Sequence, residues 1–241
     1  MAKFAKFLAG LIFVLAVPVF LFAGNLIWVV LDVGTYERLL FSYGAAARTG
    51  LSAAELRAVA TAFAAHFRDG TPFALTVLKG GARVPLFTER ELVHLHDIYN
   101  LVQFGLRSLA LMGAYFLLFA ALGLRWWQGR YWRSLAGYVL RGGLLTLGLL
   151  AVVGGLMLVD FEQLFWVFHV VSFPNDYWLL DPSQSYLINL FSQEFAQDTA
   201  LLVAGVTAGE ALLLSLVAGG VIWWGGRYGP ANRAGRAGIG R

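Results

Sequence analysis

Two short segments gather reactive side chains in an otherwise apolar chain. They are ELVHLHDIYN, residues 91–100, and FHVVSFPNDYWLLDP, residues 168–182. The side chains of interest are His94, His96, Asp97, His169, Asn175, Asp176, Trp178 and Asp181. Imidazoles and carboxylates transfer protons near neutral pH and also bind metal ions. The residue types therefore allow either acid–base catalysis or a metal-assisted reaction.

The spacing of His94 and His96 bears on the metal alternative. On a strand two residues at this spacing share a face, whereas on a helix they point about 200° apart. Thr88 and Glu91 have the sequence pattern of a capping box, which predicts that a helix begins here and continues into the next apolar stretch. We therefore expect the two imidazoles to diverge, and we predict neither a metal site nor a cofactor.

Nucleophilic catalysis by the protein itself has little support. The chain contains no cysteine, which excludes a thiol nucleophile. Ser172 and Ser183 lie near His169 in the sequence, but no Gly-x-Ser-x-Gly element surrounds a serine. Purely structural roles also stay open at this point. His169 is compatible with an interfacial residue bonded to backbone, and Asp181 before Pro182 is compatible with a helix N-cap.

The composition is that of a membrane protein. Hydrophobic residues make up 59% of the chain and charged residues 13%, whereas soluble proteins carry about 25% charged residues. Because a transmembrane helix needs about 20 apolar residues, we predict four spans. They cover residues 7–31, 101–124, 142–159 and 200–224. The expected fold is an all-α polytopic membrane protein that forms one integral membrane domain over residues 1–241.

Charged residues are divided between the segments that connect the spans. Basic residues without any carboxylate flank three of the span ends, at Lys3, Lys6, Arg125, Arg130, Arg133, Arg141, Arg227, Arg233, Arg236 and Arg241. By the positive-inside rule this predicts a multi-pass protein of the cell membrane with both termini in the cytoplasm. The two reactive segments then lie at the outer face. The rule also accounts for the net charge of +4, so we predict no nucleic-acid partner.

The two outer segments differ in predicted structure. Residues 32–98 should form a small α+β lobe, with an amphipathic helix that starts at the Ser52 capping box and two short strands joined at Gly80. We expect His66 to be a surface residue of that helix. Residues 160–199 should form a re-entrant or interfacial loop that includes a short helix over residues 182–195. The C-terminal tail, residues 227–241, should be disordered.

Two charges fall inside predicted spans, Arg107 and Glu210. Charges within a membrane are costly, so they usually pair with each other or serve function. On a helical projection Arg107 lies about 20° from the His96 stripe and about 140° from His94. We favour a pair between Arg107 and Glu210, although a role for Arg107 at the reaction centre stays open.

The two reactive segments together resemble one protein family. ERELVHLHD resembles a Glu-x-x-His-(Met/Leu)-x-Asp element, and FHVVSFPNDYWLLDPSQSYLINLFSQEF resembles a Phe-His…Phe-x-Asn-Asp-x-Trp-x-Leu-Asp-Pro…Leu-Ile element. In this order, on a four-span frame, they look like the Lit family, the lipoprotein intramolecular transacylases. The resemblance implies a substrate lipoprotein whose N-terminal cysteine carries a diacylglyceryl group. The sn-2 acyl chain moves to the α-amino group of that cysteine, which leaves a lyso-form lipoprotein.

The resemblance also implies roles for individual residues. His94 and His169 would be catalytic, and Asp97 would orient His94. Supporting residues would be Asn175, Asp176, Trp178, Asp181 and Arg107. The partners would be the diacylglyceryl-modified lipoprotein and membrane lipid. Two alternatives stay open: a non-catalytic protein of the same frame that binds lipid or lipoprotein, and a metal-dependent membrane hydrolase.

Overall fold

The computed structural model describes residues 2–228, and within them the chain is largely helical. The elements are α1 (Ala2–Leu31), α2 (Val33–Ser42), α3 (Ala45–Thr49), α4 (Ala53–Asp69), β1 (Thr76–Lys79), β2 (Ala82–Pro85), α5 (Glu89–Trp127), α6 (Tyr131–Val159), α7 (Phe161–Ser172), α8 (Tyr186–Leu190) and α9 (Gln193–Tyr228). A single 3₁₀ turn, Gln128–Arg130, joins α5 to α6. The tail, for which we predict disorder, lies almost wholly outside the described residues.

Three helical stretches of the described chain are long and apolar enough to cross a membrane. They are Lys3–Leu31, Glu89–Val159 and Gln193–Gly225. The second is 71 residues long and contains both α5 and α6. These stretches confirm the prediction of a mostly helical protein with long apolar helices. The number of four spans, and their orientation, stay predictions.

The described chain divides into two compact units. The first comprises residues 2–23, 109–153 and 204–228. Its core is aromatic: the ring centroids of Phe13 and Phe119 lie 4.7 Å apart, and Tyr138 packs edge-on against Phe119 at 5.3 Å. The hydroxyl of Tyr115 donates a hydrogen bond of 2.5 Å to the carbonyl of Ala9. Apolar packing and one inter-helix hydrogen bond thus hold segments from α1, α5 and α6 together.

The second unit, Gly24–Ser108 and Gly154–Val203, contains the lobe and both reactive segments. Its core is built from α2, α4 and α8 and from the residues that follow the hairpin. Phe63 of α4 lies at its centre, with ring centroids 4.6 Å from Phe191, 4.9 Å from Phe73 and 5.7 Å from Phe87. Large aromatic side chains of this kind bury the most apolar area per residue, which explains how a small lobe has its own core.

The local elements of the lobe agree with the sequence patterns. The hydroxyl of Ser52 accepts from the backbone of Glu55, and the Glu55 carboxylate accepts from the backbone of Ser52, so α4 begins with a complete capping box. The strands pair antiparallel around Gly80 and Gly81, whose φ angles are 59° and 82°. A tight hairpin turn needs two residues with positive φ, which glycine adopts without strain. The predicted amphipathic helix and hairpin are confirmed.

The segment after α6 departs from the expected loop. Residues 161–172 form α7, whose N-cap is Asp160, so His169 lies on a helix. The short helix predicted over residues 182–195 is present but covers only α8, Tyr186–Leu190. Asp181 accepts from the backbone and hydroxyl of Ser183, which folds residues 182–184 into a turn, and α8 begins only after its own N-cap, Ser185. A second side-chain cap four residues after Asp181 therefore replaced the one that the sequence suggested.

Candidate active site

Two histidines from distant parts of the second unit face each other. His94 lies in the second turn of α5 and His169 in the last turn of α7. Their ring centroids are 5.9 Å apart, with 36° between the ring planes. His94 is 5% exposed, and His169 is half-buried. Phe173 contacts both rings, with centroids 5.0 Å from His94 and 5.6 Å from His169.

The backbone of α7 selects the tautomer of His169. Its Nδ1 lies 2.8 Å from the carbonyl oxygen of Phe165, one helical turn earlier. A carbonyl oxygen only accepts, so Nδ1 must carry the hydrogen. In the neutral ring the hydrogen-free nitrogen is then Nε2. The second nitrogen of His169 is therefore prepared to accept a proton.

Aromatic side chains enclose the His169 ring. Phe165 lies edge-on at a centroid distance of 4.4 Å, Phe168 edge-on at 5.3 Å, and Trp178 tilted at 5.0 Å. Two of these residues come from α7 itself, and Trp178 comes from the loop that follows. Such surroundings carry few hydrogen-bonding groups and have a low local dielectric constant, which strengthens any electrostatic interaction within them.

Burial lowers the pKa of both imidazoles. His94 precedes the expected span at residue 101 and His169 follows the one that ends at residue 159. Burial first, and then the neighbouring His169, lower the pKa of His94 from 6.5 to about 4, while Asp97 acts in the opposite direction. For His169, burial lowers the pKa and the hydrogen bond to Phe165 opposes the change. Both rings are thus neutral at pH 7, because the charged form loses its hydration.

Asp97 takes a different hydrogen-bond partner from the expected one. The side-chain amide of Asn175 donates to an Asp97 oxygen at 2.9 Å, and the Asn175 oxygen accepts from the backbone of Tyr177 at 3.1 Å. The Nδ1 of His94 is buried and has no hydrogen-bond partner in the described structure. Asp97 therefore acts on His94 through its charge and, through Asn175, holds the loop that carries Trp178.

Arg90 is a site residue that the sequence did not single out. It lies in the first turn of α5, and its guanidinium donates to the backbone carbonyls of Asp176 and of Leu179, the latter at 3.2 Å. The same group lies 5.5 Å from the centroid of the Tyr177 ring. Arg90 thus fixes the short segment that places Trp178 against His169. An exposed arginine at a helix start shows nothing in sequence that would distinguish it from a solvated charge.

In the sequence Glu91 was recognised as a cap and as the first residue of the Glu-x-x-His element, but no role at the site was assigned to it. Its side chain is 1% exposed. One carboxylate oxygen accepts from the backbone and hydroxyl of Thr88, at 2.7 and 2.8 Å. The other accepts from the hydroxyl of Ser185 at 2.6 Å and the backbone of Leu187 at 2.9 Å. Glu91 therefore joins the start of α5 to a segment more than ninety residues later.

The remaining predicted residues lie outside the imidazole pair. Asp176 contributes its backbone carbonyl to Arg90, and Asp181 holds the turn before α8. His96 is exposed and contacts Tyr99, at a centroid distance of 5.8 Å. His94 and His96 therefore face different surroundings, as the helical prediction requires. Among residues 2–228, no group of three His, Asp or Glu side chains comes together in a way that could hold a metal ion.

The predictions for three other residues have different outcomes. The expectation that His66 lies on the surface is wrong, because it is 7% exposed and its Nδ1 lies 2.9 Å from the carbonyl of Thr71. Arg107 is exposed within the second unit. Glu210 belongs to the first unit, and its pairing with Arg107 stays a prediction.

Comparison with known protein families shows which family the chain belongs to. The family model described as Lipoprotein intramolecular transacylase Lit matches residues 11–195. The chain belongs to the Lit family. It is therefore an acyltransferase of lipoprotein maturation, which moves the sn-2 acyl chain of a diacylglyceryl group to the α-amino group of the N-terminal cysteine. The resemblance that the two motifs suggested is confirmed.

Three solved structures of one Lit enzyme have the same fold as this chain. The membrane-integral lipoprotein intramolecular transacylase Lit from Bacillus cereus, solved in meso, is 17% identical, with a TM-score of 0.75 over 91% of this chain and 97% of that one. Two variants of the same enzyme, with one histidine replaced by arginine or by alanine, are each 16% identical with a TM-score of 0.70. They cover 92% of this chain and 93% and 95% of theirs. None of the curated proteins matches the chain.

Proposed function

We propose that His94 and His169 catalyse the acyl transfer of this Lit family member by proton transfer and oxyanion stabilisation. The observation that carries the proposal is the pair itself, two buried or half-buried imidazoles with centroids 5.9 Å apart between aromatic side chains. A positioned acid–base group contributes about 10²–10⁴ to a rate. The pair places one such group, His169, beside an imidazole that can donate a hydrogen bond to the oxyanion.

His169 is the general base in this proposal. Its Nδ1 hydrogen is held by the Phe165 carbonyl, so Nε2 accepts the proton that the α-amino group loses as its nitrogen attacks the ester carbonyl. A carbon–nitrogen bond forms and the carbon–oxygen bond to the glyceryl group breaks. The proton on Nε2 then passes to the departing alkoxide, which becomes the free sn-2 hydroxyl. Starting from the neutral amine, no proton or electron is gained or lost over the whole reaction; a substrate that begins as the ammonium ion first releases one proton to water.

His94 stabilises the developing oxyanion. Its lowered pKa keeps the ring neutral. A neutral imidazole donates one hydrogen bond through its N–H and does not protonate the attacking amine. Donors fixed in a water-poor site stabilise developing charge more than water does, because they do not have to reorient during the reaction. The buried position of His94 and its contact with Phe173 support this role.

The substrate supplies the nucleophile, which explains why the protein needs neither a reactive cysteine nor a serine. Amine and ester belong to one lipoprotein molecule, so binding only has to hold them in a reactive geometry. Well-oriented intramolecular reactions reach effective molarities of about 10⁵–10⁸ M. Positioning of the substrate is thus a large part of the catalysis, and the two imidazoles complete it.

We also propose that the site lies at the outer face of the cell membrane on a four-span frame. The basic residues of the connection Gln128–Arg130 and its neighbours, without carboxylates, support a cytoplasmic position for that connection. The chain has no cysteine, so single cysteines are clean reporters. Ser183→Cys should react with an impermeant thiol reagent on intact cells, and Gly129→Cys should react only after lysis. The reverse labelling pattern would exclude this orientation.

Mass spectrometry of a diacylglyceryl lipopeptide incubated with the purified protein tests the reaction and its alternatives together. The proposal predicts a product of unchanged mass whose acyl chain has moved to nitrogen, and the same product after exhaustive chelation. A free fatty acid and a lyso-lipopeptide with an unmodified amine would favour a hydrolase, and loss of activity on chelation would favour a metal. Binding without any conversion would favour a lipoprotein-binding protein.

A further inference from the structure

We propose that Glu91 is a positioning residue of the active site, a role that rests on the proposed function of the two histidines. Its buried carboxylate ties Ser185 and Leu187, which follow the loop after α7, to the turn of α5 just before His94. Glu91 lies three residues before His94, and residues three apart occupy the same side of a helix. The group that fixes the loop and the imidazole that acts on the substrate are therefore neighbours on α5.

The hydrogen bonds of Glu91 use its full accepting capacity. An ionised carboxylate offers about four lone-pair sites, and Glu91 accepts from four donors, two on Thr88 and one each on Ser185 and Leu187. All four donors are uncharged backbone or hydroxyl groups. A carboxylate with 1% exposure is costly to bury unless such bonds replace its hydration. The fold thus satisfies the buried carboxyl group of Glu91 with neutral donors.

A second capping box in the same unit shows what capping alone requires. In α4, one oxygen of Glu55 accepts from the backbone and hydroxyl of Ser52, at 2.8 and 2.7 Å, which matches the pair of bonds between Glu91 and Thr88. Glu55 is exposed. Capping therefore uses one oxygen and needs no burial. The second oxygen of Glu91, and the burial that comes with it, serve the contact with Ser185 and Leu187.

This contact completes a set of attachments along the loop. Four contacts hold the loop to α5, in the order of the chain. The Phe173 ring packs against His94, and Asn175 donates a hydrogen bond to Asp97. Arg90 donates to two backbone carbonyls of the loop, and Glu91 accepts from residues 185 and 187. Trp178, which packs on His169, lies between these attachments. Release of the last attachment leaves the part of the loop after Leu179 without its tie to α5, so that Arg90 and Asn175 alone hold Trp178 in place.

Glu91→Gln tests the role, with Glu55→Gln as the matched control. Glutamine keeps the size of the side chain but has a single acceptor oxygen, so its NH₂ group must face donors. We expect a kcat about 10²-fold lower with little change in KM, because a displacement of about 1 Å away from the chemistry costs that much in rate. Glu55→Gln removes the same cap on α4 and should leave kcat unchanged.

Ser185→Ala separates the loop contact from the cap. It removes one bond from the second Glu91 oxygen, together with the cap bond that Ile188 donates to Ser185, and keeps both bonds to Thr88, so it remains informative where Glu91→Gln does not fold. We expect a smaller loss of kcat, and we expect the losses in the double variant to be less than multiplicative, since both changes break one contact. Wild-type kcat in Ser185→Ala, or equal effects of Glu91→Gln and Glu55→Gln, would overturn the positioning role.

The histidine variants keep this result distinct from the proposed function. Where His94→Ala and His169→Ala are inactive while folded Glu91→Gln and Ser185→Ala turn over at the wild-type rate, the positioning role alone is excluded. Where the histidine variants are active, the proposed function fails and the positioning role, which depends on it, fails with it.

Discussion

The lobe and the imidazole pair each contain a buried histidine among aromatic rings, but the two histidines have different neighbours. His66 in α4 and His94 in α5 both lie on helices that begin with a capping box, and each has one buried ring nitrogen without a partner in the described structure. Aromatic rings surround both, Phe73 at 4.5 Å for His66 and Phe173 at 5.0 Å for His94. Only His94 faces a second imidazole. A buried histidine among aromatic side chains is thus ordinary packing. The feature that distinguishes the candidate active site is a second imidazole that faces the first.

The largest effects should fall on the paired histidines. His169→Ala should lower the rate of transfer to nitrogen by about 10²–10⁴, because it removes the general base, and His94→Ala by about 10²–10³, because it removes the oxyanion donor. Thermal unfolding in detergent should show that both variants remain folded. His66→Ala is the control from the lobe: it should lower the unfolding temperature through the cavity it leaves, while folded protein keeps its rate. A slow but stable His66 variant would remove the distinction between the two regions.

The pH dependence should show that both paired imidazoles are neutral. The attacking amine has a pKa of about 7.7–8.0, so the rate should fall about tenfold per pH unit below that value. The pKa of His94 is lowered to about 4, and that of His169 is also lowered, so neither ring takes up a proton near 6.5. The logarithm of kcat/KM should therefore keep a slope of one from pH 7 down to the ordinary imidazole pKa of about 6.5. A steepening towards two at an ordinary imidazole pKa of about 6.5 would contradict this.

The same pKa shifts affect stability in a defined direction. A histidine whose pKa is lower in the folded state is protonated first in the unfolded chain. Stability is therefore complete above the unfolded value of about 6.5 and decreases as the pH falls below it towards the folded value. The acid end of the rate profile should accordingly be measured only where the unfolding temperature shows folded protein.

Loss of the Asn175 bond should have an intermediate effect. Asn175→Ala removes the donor to Asp97 and the acceptor for the Tyr177 backbone. A hydrogen bond to a charged group contributes about 1.5–3 kcal/mol, so a rate about tenfold lower is expected when part of that energy aligns the loop. Asn175→Asp would place two carboxylates together and should be worse. An unchanged rate in Asn175→Ala would show that the loop is held without this bond.

The smallest effect should come from His96, the second histidine of the His-Leu-His segment at residues 94–96. His96 is exposed and contacts Tyr99 on a different side of α5. His96→Ala should stay within about twofold of the wild-type rate, which lies far below the change expected for a catalytic base. Steady-state rates measured beside those of His94→Ala provide the check. An inactive His96 variant beside an active His94 variant would place the chemistry on the other face of α5.

Local patterns in the sequence predicted the elements that local interactions determine. The two capping boxes located the starts of α4 and α5, and Gly80-Gly81 located the hairpin. His66 was misplaced for a recognisable reason: it lies three residues after Phe63 on α4, so it falls within the wide apolar stripe of a packed helix. A helical projection that allowed a wider buried face for α4 would have included His66. Such residues can be placed correctly from periodicity alone.

The contacts that assemble the site could not be found in this way. Glu91 and Ser185 are separated by 94 positions, and Arg90 and Leu179 by 89. Each contact depends on how close α5 comes to the loop after folding, and neither residue type nor spacing encodes that distance. The histidine pair was suggested by motif resemblance, whereas the partner that Asp97 takes, Asn175, became visible only in three dimensions.

A double-mutant cycle on His94 and His169 tests the central claim most directly. Single-turnover transfer on a synthetic diacylglyceryl lipopeptide would be followed by mass spectrometry for the wild type, His94→Ala, His169→Ala and the double variant. Groups that act as one unit are strongly non-additive, so the double variant should be no slower than the slower single variant by more than about threefold. Losses that multiply, or a single variant that keeps the wild-type rate, would contradict the proposal that the two imidazoles act together.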